Sequence, residues 1–301
     1  MEYNNLTDST ASKFLGKKAA GSVFYNPELL VAVPRFENRN RYSIDSENLP
    51  FEGKDIWHSY EFSALTNNGI PVTKVLKISY DCTSKYIVES KSLKLYLNSF
   101  NMDRFGETPD DCLNICKKYI TKDLSLKLET DVKAEVLNND SAKIGLFPEF
   151  VDLMSFADVN SLKLEEFKEA PHLLKVSNNN SKSIYYLKFD SLRSNCRVTH
   201  QPDFGDLFVY YKSSNHIDET SLIKYLVSFR AEYHFHEECC EMIYKRLFDL
   251  LNEEDELFVG ALYTRRGGID ISPVRWSKNC TYNGFEKLLD LNTFARAGIK
   301  Q

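Results

Sequence analysis

Ser92-Leu93-Lys94-Leu95-Tyr96-Leu97-Asn98-Ser99-Phe100 recurs in the second half of the chain as Ser221-Leu222-Ile223-Lys224-Tyr225-Leu226-Val227-Ser228-Phe229, identical at six of nine positions. Leu93, Tyr96, Leu97 and Phe100 stand at i, i+3, i+4 and i+7, one apolar stripe of a helix. Shared helical spacing explains the matched Leu and aromatic sites but not the two serines, so the match points to duplication. Ahead of the first copy, Ile56, His58, Tyr60 and Phe62 alternate with Trp57, Ser59 and Glu61. The turn Asn67-Asn68-Gly69 and a second run over 72–80 complete an antiparallel hairpin. After it, a helix is predicted over 109–120, opened by Asp110 and Asp111 at its positive dipole end. Alternation over 124–137 predicts a further strand or pair. The second copy has the same order: strands over 184–192 and 207–212, helices over 221–229 and 237–251, and a strand over 256–264. The pattern is β-β-α-α-β, twice, which makes the fold α+β, with two modules that each back an antiparallel sheet with two helices.

The modules are expected to span 1–155 and 156–301. Their boundary falls within a mixed stretch, 138–183, that opens with Asn138, Asn139 and Asp140 and carries Asn178-Asn179-Asn180. Residues 1–50, rich in Asn, Ser and Pro, read as an irregular arm ending at Asn48-Leu49-Pro50 and wrapping a domain. A length of 301 residues with 43% hydrophobic and 27% charged residues suits two domains with real cores. Lys and Arg number 38 against 43 Asp and Glu, for a net charge of -5 without a basic tract, which argues against nucleic acid as a direct partner.

The longest apolar run near the start, 29–33, is far short of the roughly 20 residues that cross a bilayer. The polar N-terminus lacks the plan of a secretory leader, so a soluble, cytoplasmic protein is expected, with no membrane partner. Seven cysteines (Cys82, Cys112, Cys116, Cys196, Cys239, Cys240 and Cys280) make an odd count that favours free thiols in a reducing compartment. Neither G-x-G-x-x-G nor a P-loop occurs among the 12 glycines, so any nucleotide must be held some other way.

Four segments hold candidate chemistry. Cys196 sits among Arg193, Arg197 and His200, cations that favour thiolate, and Asp203, after Pro202 in a turn, would serve as a proton donor if burial raised its pKa. The alternative is a half-buried Cys in a polar turn. His234-Phe235-His236-Glu237-Glu238-Cys239-Cys240 is open to three readings. It is a zinc site, a helix start with its acids at the dipole, or a proton-transferring His236 beside a ligand-reading Glu237. Glu89-Ser90-Lys91-Ser92-Leu93-Lys94-Leu95-Tyr96 opens a helix whose free N–H groups, with Lys91 and Lys94, suit a phosphate, or it is an ordinary cap with solvated lysines. Tyr263-Thr264-Arg265-Arg266-Gly267-Gly268 pairs two guanidinium forks with two flexible residues, as a phosphate clamp or as a solvated turn.

Taken together these segments resemble the NADPH-dependent 7-cyano-7-deazaguanine reductases, the nitrile-reducing enzymes of queuosine biosynthesis, in their long two-module form. Residues 89–96 meet that family's signature at every position. Ser194-Asn195-Cys196, His200-Gln201-Pro202-Asp203, Phe235-His236-Glu237 and residues 263–268 match as well, and similarity extends through 48–57 and 96–105. Phe204 stands where the family is expected to favour Trp.

The resemblance implies a tunnelling fold, in which two-helix-backed sheets assemble into barrels with sites between modules, and a homodimer. It implies that the Cys196 thiolate adds to the nitrile carbon to give a thioimide, that Asp203 protonates the nitrogen, and that NADPH reduces the carbon twice, with His236 a proton source. Catalysis would rest on Cys196, Asp203 and His236. Val88, Glu89, Ser90, His236 and Glu237 would bind the small-molecule deazapurine substrate. Ser90, Lys91, Arg265, Arg266 and Gly267 would hold NADPH, with no metal. The competing readings are a zinc-dependent hydrolase like the GTP cyclohydrolases and a non-catalytic pterin- or purine-binding protein of the same fold. The hydrolase would need three assembled zinc ligands and an open position, for which only residues 234–240 offer candidates, and the joint presence of Cys196, Asp203, His236 and Glu237 argues against a pure binder.

Overall fold

A computed structural model describes residues 24–138, 141–158, 162–298 and 300. In chain order the elements are β1 (Ala32–Pro34), α1 (Phe36–Arg41), β2 (Glu52–Leu65), β3 (Pro71–Asp81), β4 (Tyr86–Val88), α2 (Ser90–Asn98), α3 (Pro109–Leu128), β5 (Val132–Leu137), β6 (Lys143–Gly145), β7 (Val151–Asp152), β8 (Val176–Asn195), β9 (Pro202–Ile217), α4 (Glu219–Val227), α5 (His236–Phe248), β10 (Glu256–Tyr263), β11 (Ile269–Trp276), α6 (Glu286–Leu289) and β12 (Phe294–Arg296). β2-β3-α2-α3-β5 and β8-β9-α4-α5-β10 are the two copies.

The serines of the repeat explain why it exists. Ser92 and Ser221 each donate Oγ to the carbonyl three residues back, at Glu89 and Asp218, both 2.7 Å. Each also accepts a backbone N–H from an incoming segment, Val31 in one copy and Lys175 in the other. Ser99 and Ser228 repeat the device, donating 2.6 Å bonds to Tyr96 and Tyr225 and accepting from Asn26 and Ala170. The pinned segments are themselves equivalent, each a single turn of 3₁₀ helix, Pro27–Leu29 and Pro171–Leu173. Duplication therefore extends into both arms, where the sequence likeness is only Pro-x-Leu-Leu, at 27–30 and 171–174.

One sheet joins the modules. Its order is β5-β3-β2-β11-β10-β9-β8-β7, antiparallel except for the short β7–β8 contact. β11 pairs with β10 of its own module and, over eight residues from Ile269↔Ser59 to Trp276↔Glu52, with β2 of the other. Sequence reading missed this strand because Pro273 interrupts it, and Pro normally demotes a strand. One apolar core packs α2 and α3 on the first module's strands and another packs α4 and α5 on the second's. The opposite face is covered by a third cluster around Phe147, Phe150, Phe258 and Phe285.

Three expectations change. The helix predicted to end near 120 runs to Leu128, and the strand begins only at Val132. Leu124, Leu126 and Leu128 satisfy a period of two, but Ile120, Leu124 and Leu128 also continue the buried i, i+4 stripe, which the tertiary core selects. In β2 a register shift between Ser59 and Phe62 moves Phe62 to the face of Trp57. The mixed stretch is not all connector: β6 pairs in parallel with β12, and β8 begins at Val176 with a break between Asn178 and Ser183. Its solvent-exposed start leaves no alternation to read. Within the expected irregular arm, residues 24–50 contain β1 and α1, whereas residues 1–23 lie outside the described residues. No described helix is long and apolar enough to cross a membrane.

Candidate active site

The β8–β9 hairpin carries Cys196 and Asp203. Ser194 pairs with Asp203 and Asn195 with Pro202, so Asp203 lies at the start of a strand rather than in a turn. Between them the chain closes a tight loop, with Cys196 N–H donating to the Gln201 carbonyl and His200 N–H to the Cys196 carbonyl, at 2.8 and 2.9 Å. Asn195 staples this loop to the segment before α5: its amide donates to Glu232, and its carbonyl accepts from His234. That brings the start of α5, with His236 and Glu237, alongside the loop.

A cleft of about 330 Å³ results, lined by Cys196, Asp203, His236 and Glu237 from the second module and by Trp57, Val88, Ser90 and Lys91 from the first. Lys94, Arg266 and Gly267 complete one wall. A second hollow of about 430 Å³ shares Asp203, His236 and Arg266 with it and opens toward Phe204, Thr264 and Arg265. Neither module forms the cleft alone.

His236 stacks on Tyr263, ring centroids 3.8 Å apart and 9° from parallel, and its Nε2 stands 3.3 Å from Asp203 Oδ2. Arg266 contacts Asp203 Oδ1 and also donates to Thr199 and Gln201. Burial opposes ionisation of Asp203, but the His236 and Arg266 contacts outweigh it and hold its pKa below the ordinary carboxylate value. The sequence expectation of a raised pKa is thus reversed, because the neighbours that matter come from α5 and the β10–β11 turn. The cations expected to activate Cys196 are engaged elsewhere. Arg193 donates to the Arg230 carbonyl and to Asn195, and Arg197 pairs with Glu238 at 3.1 Å.

Two carboxylates have an unpaired oxygen. Glu237 is 2% exposed, and its Oε1 has no hydrogen-bond partner; burial first, then the charge of Asp55, pushes its pKa up to about 8. Glu89 caps α2, its Oε2 accepting from Ser92 N–H at 2.7 Å, while Oε1 is unpaired; burial raises its pKa despite the cap. Glu89 does not itself line the cleft, although Val88 and Ser90 on either side of it do. The equivalent cap in the second copy is the shorter Asp218.

Of the phosphate candidates, Lys91 has no ion-pair partner among the described residues, whereas Lys94 donates to the Gly267 carbonyl. Arg265 lies over the Tyr60 ring, its guanidinium 3.3 Å from the centroid. Gly267 and Gly268 have positive φ, 60° and 80°, and a Cβ on Gly268 would collide with the Glu61 carboxyl at 2.4 Å. The zinc reading loses its cluster. His234 pairs with Glu232 at 3.0 Å, His236 with Asp203, and Cys239 and Cys240 are fully buried.

Comparison with known proteins agrees with this geometry. A family model described as nitrile reductase, 7-cyano-7-deazaguanine-reductase N-term, matches residues 22–136, and a second, described as QueF-like protein, matches 202–281. The chain belongs to the 7-cyano-7-deazaguanine reductase family. It is 38% identical over 278 residues to the NADPH-dependent 7-cyano-7-deazaguanine reductase of Colwellia psychrerythraea, covering 91% of this chain and 94% of that one. It is 36% identical to proteins of the same name from Legionella pneumophila (94% of each chain) and Buchnera aphidicola (86% and 95%).

Of the site residues that the family resemblance implies, all line the cleft except Glu89 and Arg265, and Arg265 lines the adjoining hollow. Sequence reading missed Trp57, Phe235, Ile269 and Ile271, which supply its apolar walls. The alternation of β2 carried the signal for Trp57, which stands on the face opposite Ile56 and His58. The two Ile could not be placed before β11 was known.

Proposed function

We propose that the chain catalyses NADPH-dependent reduction of the nitrile of 7-cyano-7-deazaguanine to an aminomethyl group by way of a covalent Cys196 adduct. The observation that carries this reading is the convergence of Cys196, Asp203, His236 and Glu237, from two elements of one module, with Val88, Ser90 and Lys91 of the other. A nitrile carbon accepts hydride poorly, and thiol addition converts it to a C=N that is reduced readily.

Because its pKa is lowered, Asp203 is ionised and acts first as a base. It takes the thiol proton as Sγ bonds to the nitrile carbon, and then delivers that proton to the nitrogen, giving a neutral thioimide. NADPH, when bound, supplies a hydride for each of the two two-electron reductions. Between them an electron pair on nitrogen forms the C=N bond of an imine as the C–S bond breaks, and the C–S electrons leave with Cys196 as thiolate. His236, hydrogen-bonded to Asp203 and stacked on Tyr263, replenishes the proton each reduction consumes. Glu237 accepts from the amino and ring N–H groups of the base through its unpaired Oε1; Glu89, buried at the cap of α2 between Val88 and Ser90, joins it once its own unpaired Oε1 turns to the cleft. Lys91 and Ser90 at the rim, with Arg265, Arg266 and Gly267 beyond, suit the phosphates of the cofactor.

We further propose a cytosolic homodimer, supported by seven unpaired thiols and by the exposed Val176 and Ile184 on β8, which beyond its short β7 contact has one side unpaired among the described residues. We propose the module boundary near residue 155, in the stretch between β7 and β8, where the second copy starts. The test is intact mass after incubation with 7-cyano-7-deazaguanine alone, followed by NADPH absorbance. One-ligand gain mapped to Cys196, with two NADPH consumed per substrate, is expected. A Cys196→Ala protein that still reduces the nitrile would overturn the covalent route.

A further inference from the structure

Behind Glu237 lies a buried ion cluster drawn from both modules. Arg39 of α1 grips Glu241 of α5 through Nε and Nη2, at 2.9 and 2.8 Å, and donates to the Cys82 carbonyl. Arg275 of β11 stands 2.9 Å from both Glu241 and Asp55 of β2. Arg35, just before α1, pairs with Asp55 and lies 3.6 Å from Glu241. All five residues are at most 4% exposed. Three guanidiniums therefore face two carboxylates, and a net positive charge is left out of water, where it is costly.

Glu237 sits one turn before Glu241 on the same face of α5 and has one unpartnered oxygen. Burial disfavours its ionised form most, Asp55 next, while Arg35 and Arg275 favour ionisation. From β3, Tyr80 also feels its charge. On the cleft side the charged and titratable groups are Lys91, Lys94, Cys196, Asp203, His234, His236 and Arg266; Asp203 is taken by His236 and Arg266, His234 by Glu232, and Lys94 by the Gly267 carbonyl.

We propose that this cluster is built one carboxylate short, and that Glu237 supplies the missing charge only when N–H donors of the substrate engage it, so that binding expels one proton to solvent. The inference rests on the reading of Glu237 as a substrate-binding carboxylate. In the empty protein the Glu237 carboxyl is protonated and the cluster is left positive. In the complex the O–H bond is broken, the carboxylate accepts from the base, and three guanidiniums face three carboxylates. Asp55, Arg35 and Arg275 are then positioning residues that set how readily the site opens to a guanine-like edge.

The test is calorimetric titration of 7-cyano-7-deazaguanine into Cys196→Ala protein, which forms no thioimide, in buffers of different ionisation enthalpy across the pH range. Release of close to one proton per ligand is expected below about pH 8, with the association constant rising about tenfold per pH unit and levelling above it. Adding Glu237→Gln should abolish the release. Asp55→Asn should move the levelling point to lower pH and Arg35→Gln to higher pH, while Arg35→Lys leaves it in place.

Opposite shifts from two substitutions in one cluster cannot come from loss of packing, which would weaken both alike. Absence of proton release, its persistence in Glu237→Gln, or shifts in the same direction would overturn the proposal. The proton count decides it even if a cluster variant fails to fold. A Glu237→Gln protein that binds as tightly as its parent would instead refute the substrate-binding role itself.

Discussion

Replacing Arg197 separates two accounts of the Cys196 loop. Sequence proximity makes Arg197 a cation that activates the thiol, whereas the structure makes it a strut. Its guanidinium pairs with Glu238 at 3.1 Å, with side chains 15% and 6% exposed, and lies 5.6 Å from the Phe235 ring centroid. Removing one partner of a buried pair costs about 3–5 kcal/mol. Here Glu238 keeps the Phe235 N–H at 3.0 Å and His234 at 3.5 Å, and Arg197 is partly solvated. The expected cost of Arg197→Met is therefore reduced to about 2 kcal/mol, a fall in Tm of about 3–5 °C for a chain of this size.

Calorimetry measures that loss, and the rate of Cys196 alkylation followed by mass against pH measures the thiol. A strut predicts a lower Tm, a slower adduct with 7-cyano-7-deazaguanine, and an alkylation profile whose midpoint does not move. Arg197→Lys should recover part of the stability. An alkylation midpoint shifted to higher pH with Tm unchanged would refute the strut and restore the activating cation.

Three further outcomes are expected. Burial lowers the His234 pKa, but its contacts with Glu232 and Glu238 outweigh burial and leave it raised. Its contribution to stability is thus complete below the unfolded value of about 6.5 and is lost as pH rises through the folded value. Unfolding midpoints in His234→Gln should accordingly lose this pH dependence, and an unchanged slope would sink the assignment. Ser228→Ala should destabilise by about 1–2 kcal/mol, since it orphans the buried Ala170 N–H, and Ser99→Ala by less, because Asn26 is only half-buried. Their effects should add in thermal melts, as they lie in different modules. Lys91→Ala should raise the KM for NADPH about tenfold, a loss of ~1.4 kcal/mol, with kcat nearly unchanged; a fall in kcat alone would place Lys91 elsewhere.

Local order was legible where one periodicity dominated. The repeated stripe of α2 and α4, the hairpin turn at Asn67-Asn68-Gly69 and the order of both copies could be read directly, because each element buries a regular face. The ambiguous cases failed for stated reasons. Leu124, Leu126 and Leu128 fit two periods, the β2 bulge rotates Phe62, and Pro273 disguised β11. Cys196, Asp203, His236 and Glu237 could be named from residue types and resemblance, but not their states.

The sequence by itself determined a duplicated α+β chain, since the repeat and its periodicities are short-range, while the roles of Cys196, Asp203, Glu89 and Glu237 came from the family resemblance. Only the tertiary structure decided what each group does with its charge. Arg266 and His236 hold the Asp203 pKa down, Arg197 is spent on Glu238, and burial with the charge of Asp55 pushes the Glu237 pKa up. The physical reason is that ionisation depends on burial and on charges a few ångströms away, and here those charges come from elements distant along the chain: α5 and the β10–β11 turn for Asp203, and β2, β11 and the residue before α1 for Glu237.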